Sequence, residues 1–322
     1  MMDHHRHLAP PHPAALPRSS MALRCTFATP KATIMSTMTQ HYFRLIAPAK
    51  VNLGLRLLGR DRAGFHLLES TFQSIALHDV LHLRHSSHDP SGISITCSDA
   101  AVPCDHGNIV WRCLRNLRKQ HGLGGRWQVY IEKGIPVGSG LGGSSADAAA
   151  LLRGLRHLVP GALGNVRWFH DSVDLGADVP FLAQGGRAHG LGRGEILSPL
   201  PMGTEVGRPL WLIIPPFACL TPAVFAAVRD HERRPRSPWG RAAWQRMWQR
   251  DPQYCLDNDL WPAACRVQPD LQRIGAWLTQ QGLRWGLSGS GSTLISLDRP
   301  RTTAPPGVRI VETACSDRLQ GP

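Results

Sequence analysis

No apolar run in this 322-residue chain approaches the ~20 residues that a membrane-spanning helix needs. Nor do the eight cysteines (Cys25, Cys97, Cys104, Cys113, Cys219, Cys255, Cys265 and Cys315) form a CxxC pair, and none of their spacings suits a zinc site. No metal-ligating set is therefore assigned, and the expectation is a reduced cytoplasmic protein with mostly buried thiols. The opening residues lack a secretory pattern, and no repeat of fixed period runs along the chain. Acidic residues are scarce, 23 against 36 Lys and Arg, which leaves a net charge of +13 and a pI near 10.1. That balance admits nucleic acid, and equally an anionic small molecule such as a nucleotide. The basic residues concentrate in the first forty positions and between Arg229 and Arg250, where Arg and Trp alternate without a nucleic-acid motif. Nucleic acid is the minor reading.

What is present is enough for a packed core. Hydrophobic residues make up 42% and charged residues 18%, which argues against wholesale disorder. The 32 glycines and 26 prolines point to many turns rather than to a helical bundle. Residues 1–40 stand apart, rich in His, Pro, Ala, Ser and Thr with one acid, Asp3. They read as a disordered extension; a transit peptide or a metal-binding tract (His4, His5, His7, His12) are the competing readings. The segment Ser198 to Arg208 is the best boundary between two domains, 41–200 and 201–322.

Phe43 to Val51 and Leu53 to Leu58 read as extended runs. Phe72 to Leu77 and Val80 to Arg84 read as strands around a turn at His78-Asp79. Apolar and basic residues alternate at helical spacing from Ile109 to Gln120, with Asn108 as N-cap. Trp127 to Glu132 is a strand, and an alanine-rich helix runs from about Ser145 to Leu158. Leu210 to Ile214 starts a further strand, followed by helices near Ala223 to Val228, Ala242 to Trp248 and Leu271 to Gln281.

Between a strand and a helix lies Pro136-Val137-Gly138-Ser139-Gly140-Leu141-Gly142-Gly143-Ser144-Ser145-Ala146-Asp147. Its glycines permit tight turns and close approach to a ligand. The following helix offers unpaired N–H groups and the positive end of its dipole, so polyphosphate is the natural occupant. Ser144 and Ser145 add hydroxyls that suit phosphate or Mg²⁺. No Gly-Lys-Ser/Thr ends the loop, so it is not a Walker A motif. Ser144 stands where a third glycine would give more freedom, and is tolerated only with negative φ.

Three further segments stand out. In Asp174-Leu175-Gly176-Ala177-Asp178-Val179-Pro180-Phe181 an aspartate is fixed between small residues and a Val-Pro step, and can accept or orient a hydroxyl proton. In isolation an Asx-turn cap explains it equally well. In Ala47-Pro48-Ala49-Lys50-Val51-Asn52-Leu53-Gly54 a lone lysine has little apolar surface to lie along. The fourth is Gly286-Leu287-Ser288-Gly289-Ser290-Gly291-Ser292-Thr293, a second glycine–serine turn.

The order Pro-Ala-Lys-x-Asn, Gly-x-Gly-Leu-Gly-Gly-Ser-Ser, Gly-Ser-Gly-Ser resembles the GHMP kinases. The stretch Arg60-Asp61-Arg62-Ala63-Gly64-Phe65-His66, with Gly194-Glu195-Ile196-Leu197, Thr221 to Phe225 and Asn258-Asp259-Leu260, is similar to the branch that phosphorylates a cytidine-diphosphate-linked methylerythritol. The resemblance runs from about Ile46 to Leu297. It implies an α+β fold of two domains, an N-terminal mixed-sheet domain and a ferredoxin-like C-terminal domain. The last helix is expected to be short or absent, because Asp298 to Pro306 holds three prolines. It implies Lys50 and Asp178 as the catalytic pair, and Pro136 to Ala146 as the ATP site with Mg²⁺. Asn52, Phe65, His66, Gly289, Ser290 and Gly291 become substrate-binding residues, with the cytosine on Phe65 and His66. The small-molecule substrate is the implied partner, as monomer or homodimer. A homoserine-kinase-like enzyme, or a catalytically compromised relative, is the alternative.

Overall fold

A computed structural model describes residues 40–87, 89–90, 92–158, 172, 175–202, 205–233 and 256–317. They fall in one compact unit. Residues 1–39 of the extension expected at 1–40, the helix near Ala242 to Trp248 and most of the Arg/Trp segment lie outside the described residues.

Two 21-residue strands, β1 (Gln40–Arg60) and β2 (His66–Ser86), form a long antiparallel hairpin. The two extended runs expected between Phe43 and Leu58 are one strand, interrupted by register shifts at Pro48/Lys50 and Asn52/Leu55. Pro48 has no N–H for the ladder, and an irregularity accommodates it. Such irregularities re-aim neighbouring side chains. Here they stand at Lys50 and Asn52.

The turn expected at His78-Asp79 does not exist. β2 runs straight through it, because the Asp79 carboxylate is satisfied inside the protein: Gly134 N and Ile135 N each donate to Oδ1 at 2.7 Å. A polar pair in a strand pattern reads as a turn unless its buried partners are known.

The sheet continues through β3 (Gly92–Cys97), β4 (Arg126–Glu132), β5 (Arg187–Leu191) and β6 (Ile196–Pro199), in the order β3-β4-β2-β5-β6 with β1 also on β2. β3 and β4 are parallel, so the chain between them crosses over through α1 (Ile109–His121). Asn108 caps that helix as expected, its Oδ1 accepting from Val110 N at 2.8 Å. Beside α1 lies α2 (Gly143–Leu158), whose Ala146, Ala148, Ala149 and Ala150 are buried with Leu151, Leu152 and Leu155. Small side chains let this helix approach the sheet closely; a Cβ on Gly154 would strike Leu45 Cδ2 at 2.6 Å. α3 (Val179–Gln184) packs against α2 and β1.

A second sheet is built from β7 (Pro209–Ile214), β8 (Trp285–Leu287), β9 (Leu294–Ser296) and β10 (Arg309–Ala314), all neighbours antiparallel, in the order β10-β7-β9-β8. That order is the split β-α-β arrangement of a ferredoxin-like half. α4 (Thr221–Ala226), α5 (Trp261–Val267) and α6 (Asp270–Gln280) connect β7 to β8. Gly275 leaves room for the edge-to-face indoles of Trp261 and Trp285, 5.0 Å apart. Among the described residues no helix lies between β9 and β10. Proline-rich chain bridges them, held where Gln281 Oε1 accepts from Arg301 N and Thr302 N at 2.8 and 3.0 Å. β10 closes the sheet regardless, and Leu77 N donates to Thr313 Oγ1 at 3.1 Å, tying it to β2.

The two cores share strand β1. Leu45 to Leu53 lie in the first, while Leu55, Leu57 and Leu68 lie with β7, α5 and α6 in the second. Arg56 bridges at the changeover, fully buried, donating to Asp259 at 3.0 Å and Asp257 at 3.1 Å. Each buried leucine contributes roughly 1.5–3 kcal/mol, so the bulged middle of β1, which those contacts hold from both sides, is firmly fixed.

Candidate active site

A cleft of about 520 Å³ opens above the bulged segment of β1, lined by both glycine turns, the start of α1, Lys133, Asp178, Arg193 and α4. The first turn leaves β4 and enters α2. Gly140 and Gly142 have φ of +76° and +74°, a conformation side chains disfavour. Space requires glycine too. A Cβ on Gly140 would run into the carbonyls of Ser288 and Gly291 in the second turn, and one on Gly142 would sit 3.2 Å from Lys50 Cγ. Ser144 falls in the first turn of α2, and no described non-glycine residue has positive φ, so its side chain is accommodated. Ala146 N makes the first helical bond, to Gly142 O at 2.8 Å. Gly143, Ser144 and Ser145 precede that bond and line the cleft, leaving a helix N-terminus suited to anionic oxygens.

Lys50 is 4% exposed. Its backbone N–H donates to Leu141 O at 3.0 Å, and its Nζ lies 5.6 Å from the centre of the Phe72 ring. Nζ donates to Asn52 Oδ1 at 2.7 Å and stands 3.3 Å from Asp178 Oδ2. Asn52 is fixed in turn: its Nδ2 donates to Ser70 Oγ at 2.8 Å, and Ser70 Oγ donates to Gly54 O at 2.7 Å. Asp178 precedes α3 but makes no side-chain cap bond, so the Asx-turn explanation is set aside. Its side chain is 30% exposed and reaches the cleft.

A second lysine was not singled out from sequence. Lys133, just before the first glycine turn, pairs with Asp79 and reaches Asp147 Oδ2 at 3.2 Å. Asp147 projects from α2 and is buried, and its Oδ1 has no hydrogen-bond partner. Burial raises its pKa most; the pull of Lys133 opposes, the repulsion of Asp79 adds, and the net value is about 8. Burial works against the Lys133 ammonium, but attraction to Asp147 and Asp79 leaves its pKa raised. Two carboxylates around one ammonium in a dry site favour keeping one proton, and Asp147, with fewer donors, keeps it. No local sequence signal pointed to this cluster, because Lys133 and Asp79 lie 54 residues apart in the chain.

The other end of the cleft is aromatic. Phe65 is presented by a turn in which Asp61 Oδ1 accepts from Ala63 N and Phe65 N, both at 2.9 Å. His66 is 9% exposed, its ring 5.2 Å from Phe225, and neither ring nitrogen has a protein hydrogen-bond partner. Burial, then the charges of Arg60 and Arg233, lowers its pKa, which favours a neutral ring able to donate and accept. Thr221 Oγ1 and Ser290 Oγ join the aromatic end to the second glycine turn at 2.9 Å. That turn is held by Asn258, whose Nδ2 donates to Leu287 O and Gly289 O, both at 2.8 Å.

Of the residues singled out from sequence, Lys50, Asn52, Asp178, Pro136 to Gly140, Gly142 to Ser145, Gly289 and Ser290 line the cleft together. Leu141 and Ala146 are buried in the core behind it. Gly291 backs the second turn, close to Cys219 and Leu287. Phe65 and His66 flank the aromatic end without lining the void. Phe225, Arg193, Lys133 and Asp147 are cleft or cleft-edge residues that sequence reasoning gave no role.

A glycine turn feeding a helix, a lysine–aspartate pair beside it and a mixed sheet joined to a ferredoxin-like half define a GHMP kinase. Residues 108–186 match the family described as GHMP kinases N terminal domain. A 4-diphosphocytidyl-2-C-methyl-D-erythritol kinase from Acaryochloris marina is 33% identical over 86% of this chain and 94% of its own, and one from Nocardia farcinica is 38% identical over 77% and 82%. A crystal structure of 4-(cytidine 5'-diphospho)-2C-methyl-D-erythritol kinase superposes with a TM-score of 0.68 at 30% identity, covering 85% of this chain and 99% of that one. The chain belongs to the 4-diphosphocytidyl-2-C-methyl-D-erythritol kinase family. It is a kinase, with ATP as phosphoryl donor. A homoserine kinase from Cytophaga hutchinsonii, at 18% identity and TM-score 0.58, shares the fold. Among the described residues no helix is long and apolar enough to cross a membrane.

Proposed function

We propose that this chain transfers the γ-phosphoryl group of ATP to the 2-hydroxyl of 4-diphosphocytidyl-2-C-methyl-D-erythritol, a step toward isoprenoid precursors. The observation that carries the chemistry is the Lys50–Asp178 pair, 3.3 Å apart at the mouth of the first glycine turn. Asp178 accepts the hydroxyl proton as the oxygen attacks phosphorus. Lys50, held by Asn52, stabilises the charge that develops on the attacking oxygen and the transferring group. The cleft residues of the turn from Pro136 to Ser145 hold the polyphosphate through backbone N–H groups and the α2 dipole. Residues 41–200 and 201–322 act as two domains, one supplying the phosphate loop and the other the second glycine turn.

Mg²⁺ neutralises phosphate charge in such transfers. Among the described residues no three His, Cys, Asp or Glu side chains gather to hold a metal. The ion would instead arrive on ATP, with the Ser144 and Ser145 hydroxyls at the start of α2 as the hard oxygen donors available. Phe65, Phe225 and the unpartnered His66 nitrogens suit a cytosine, which offers a flat face and an edge of donors and acceptors. Coupled ADP release with the cytidine substrate, homoserine and mevalonate tests the reading. Turnover of the cytidine compound alone is expected; turnover of homoserine or mevalonate instead sinks the substrate assignment.

A further inference from the structure

We propose that Arg193 is a substrate-binding residue that reads the diphosphate of the nucleotide-linked substrate, an inference that rests on the cytidine reading above. Arg193 occupies the connection between β5 and β6 and lines the cleft. Its loop is firmly built. Arg193 N donates to Glu195 Oε2 at 2.6 Å, and Gly192 O accepts from Leu68 N at 2.7 Å. Gly192 and Gly194 have φ of +75° and +114°. A Cβ on Gly194 would stand 3.0 Å from Phe72, the ring that underlies the Lys50 ammonium.

The guanidinium lies 4.0 Å from the centre of the Phe65 ring, and Nη2 stands 3.3 Å from Asp61 Oδ2. Asp61 is the residue whose other oxygen organises the Phe65 turn. Arg193 is therefore aligned with the aromatic end of the cleft by the same carboxylate that presents Phe65. Both partners of the ion pair are partly exposed, at 41% and 25%, so solvent competes with it. Exchanging Asp61 for phosphate oxygens costs little, and a guanidinium offers them a bidentate fork.

A diphosphate needs a cation, and the two lysines of the cleft are committed to carboxylates. Lys50 faces Asp178, and Lys133 faces Asp79 and Asp147. Arg112 also lines the cleft, but from the first turn of α1 beside the cap at Asn108, on a different element from the Phe65 turn. Arg60 and Arg233, whose charges are felt by His66, do not line the cleft; they bond Gly64 O and Asp230 at 2.8 and 2.6 Å. Arg193 is left as the cation beside Phe65, where the group attached to a stacked cytidine must run.

The test compares the full-length enzyme with Arg193→Gln and Arg193→Lys. Substrate KM is expected to rise about tenfold to a hundredfold in Arg193→Gln, with KM for ATP within about twofold, and Arg193→Lys recovering part of the loss. Competitive inhibition by CDP and by cytidine supplies the second readout. The unaltered enzyme should prefer CDP to cytidine, and Arg193→Gln should lose that preference while binding cytidine as before. A retained preference for CDP in Arg193→Gln overturns the proposal and leaves the cytidine reading standing. Absence of any inhibition by either compound in the unaltered enzyme overturns both.

Discussion

Lys50 and Lys133 both lie against the first glycine turn with carboxylates in reach, yet their surroundings differ. Lys50 meets a single carboxylate, Asp178, whose side chain is 30% exposed to the cleft. Lys133 meets two carboxylates that are almost wholly buried, one of which also accepts two backbone N–H groups. The first pair is free to change partners, because one side opens onto the cleft. The second cannot do so cheaply, since any change strands a buried charge. The comparison teaches that lysine–aspartate proximity alone does not mark chemistry. Access to the reacting group decides it.

The largest expected effect separates the two lysines by rate. Lys50→Met should lower kcat by about a thousandfold with little change in thermal stability, because it removes charge stabilisation from the reacting oxygens. Steady-state ADP release together with a melting curve checks both halves. Asp79→Ala should act in the opposite way, destabilising the fold by about 3–5 kcal/mol through a stranded ammonium and two unpaired N–H groups; urea denaturation measures it. An equal loss of stability in both variants would erase the distinction.

A pH experiment sharpens it further. Asp147 has its pKa raised to about 8 from 3.8, so between those values the folded protein holds a proton that the unfolded chain releases. Its contribution is fully present below about pH 4 and declines as pH rises toward 8, by at most ~1.4 kcal/mol per pH unit. Asp147→Asn keeps the shape without the ionisation. Its melting temperature should therefore fall less than that of the parent between pH 5 and 8, and parallel curves would remove Asp147 from the account. The smallest effect is expected at the second glycine turn. Asn258→Ala deletes two hydrogen bonds to its carbonyls and should cost about 1–2 kcal/mol with a modest rise in substrate KM; denaturation and initial rates read the two.

Much of the site was legible because its chemistry is local. The Pro136 to Ala146 turn states its glycines, its serines and the helix that follows in one stretch, and both α1 and its Asn108 cap followed from residue order. The Lys50–Asp178 contact is different in kind. It joins a bulged strand to a short helix far along the chain, and came through family resemblance rather than spacing. Asp79 was misread because its two N–H donors and its lysine lie more than fifty residues away. Lys133 and Arg193 were passed over for the same reason, since neither has a telling neighbour in sequence. The three prolines after β9 correctly argued against a helix there. They gave no sign that β10 would still complete the sheet, because strand pairing with β7 is a long-range fact.

The central claim is that Asp178 takes the proton from the substrate hydroxyl, and Asp178→Asn tests it most directly. ADP release with the cytidine substrate, measured beside calorimetric binding of ATP, should show kcat lowered at least about a hundredfold with ATP affinity within about twofold of the parent. A variant that turns over at the parental kcat would contradict the account.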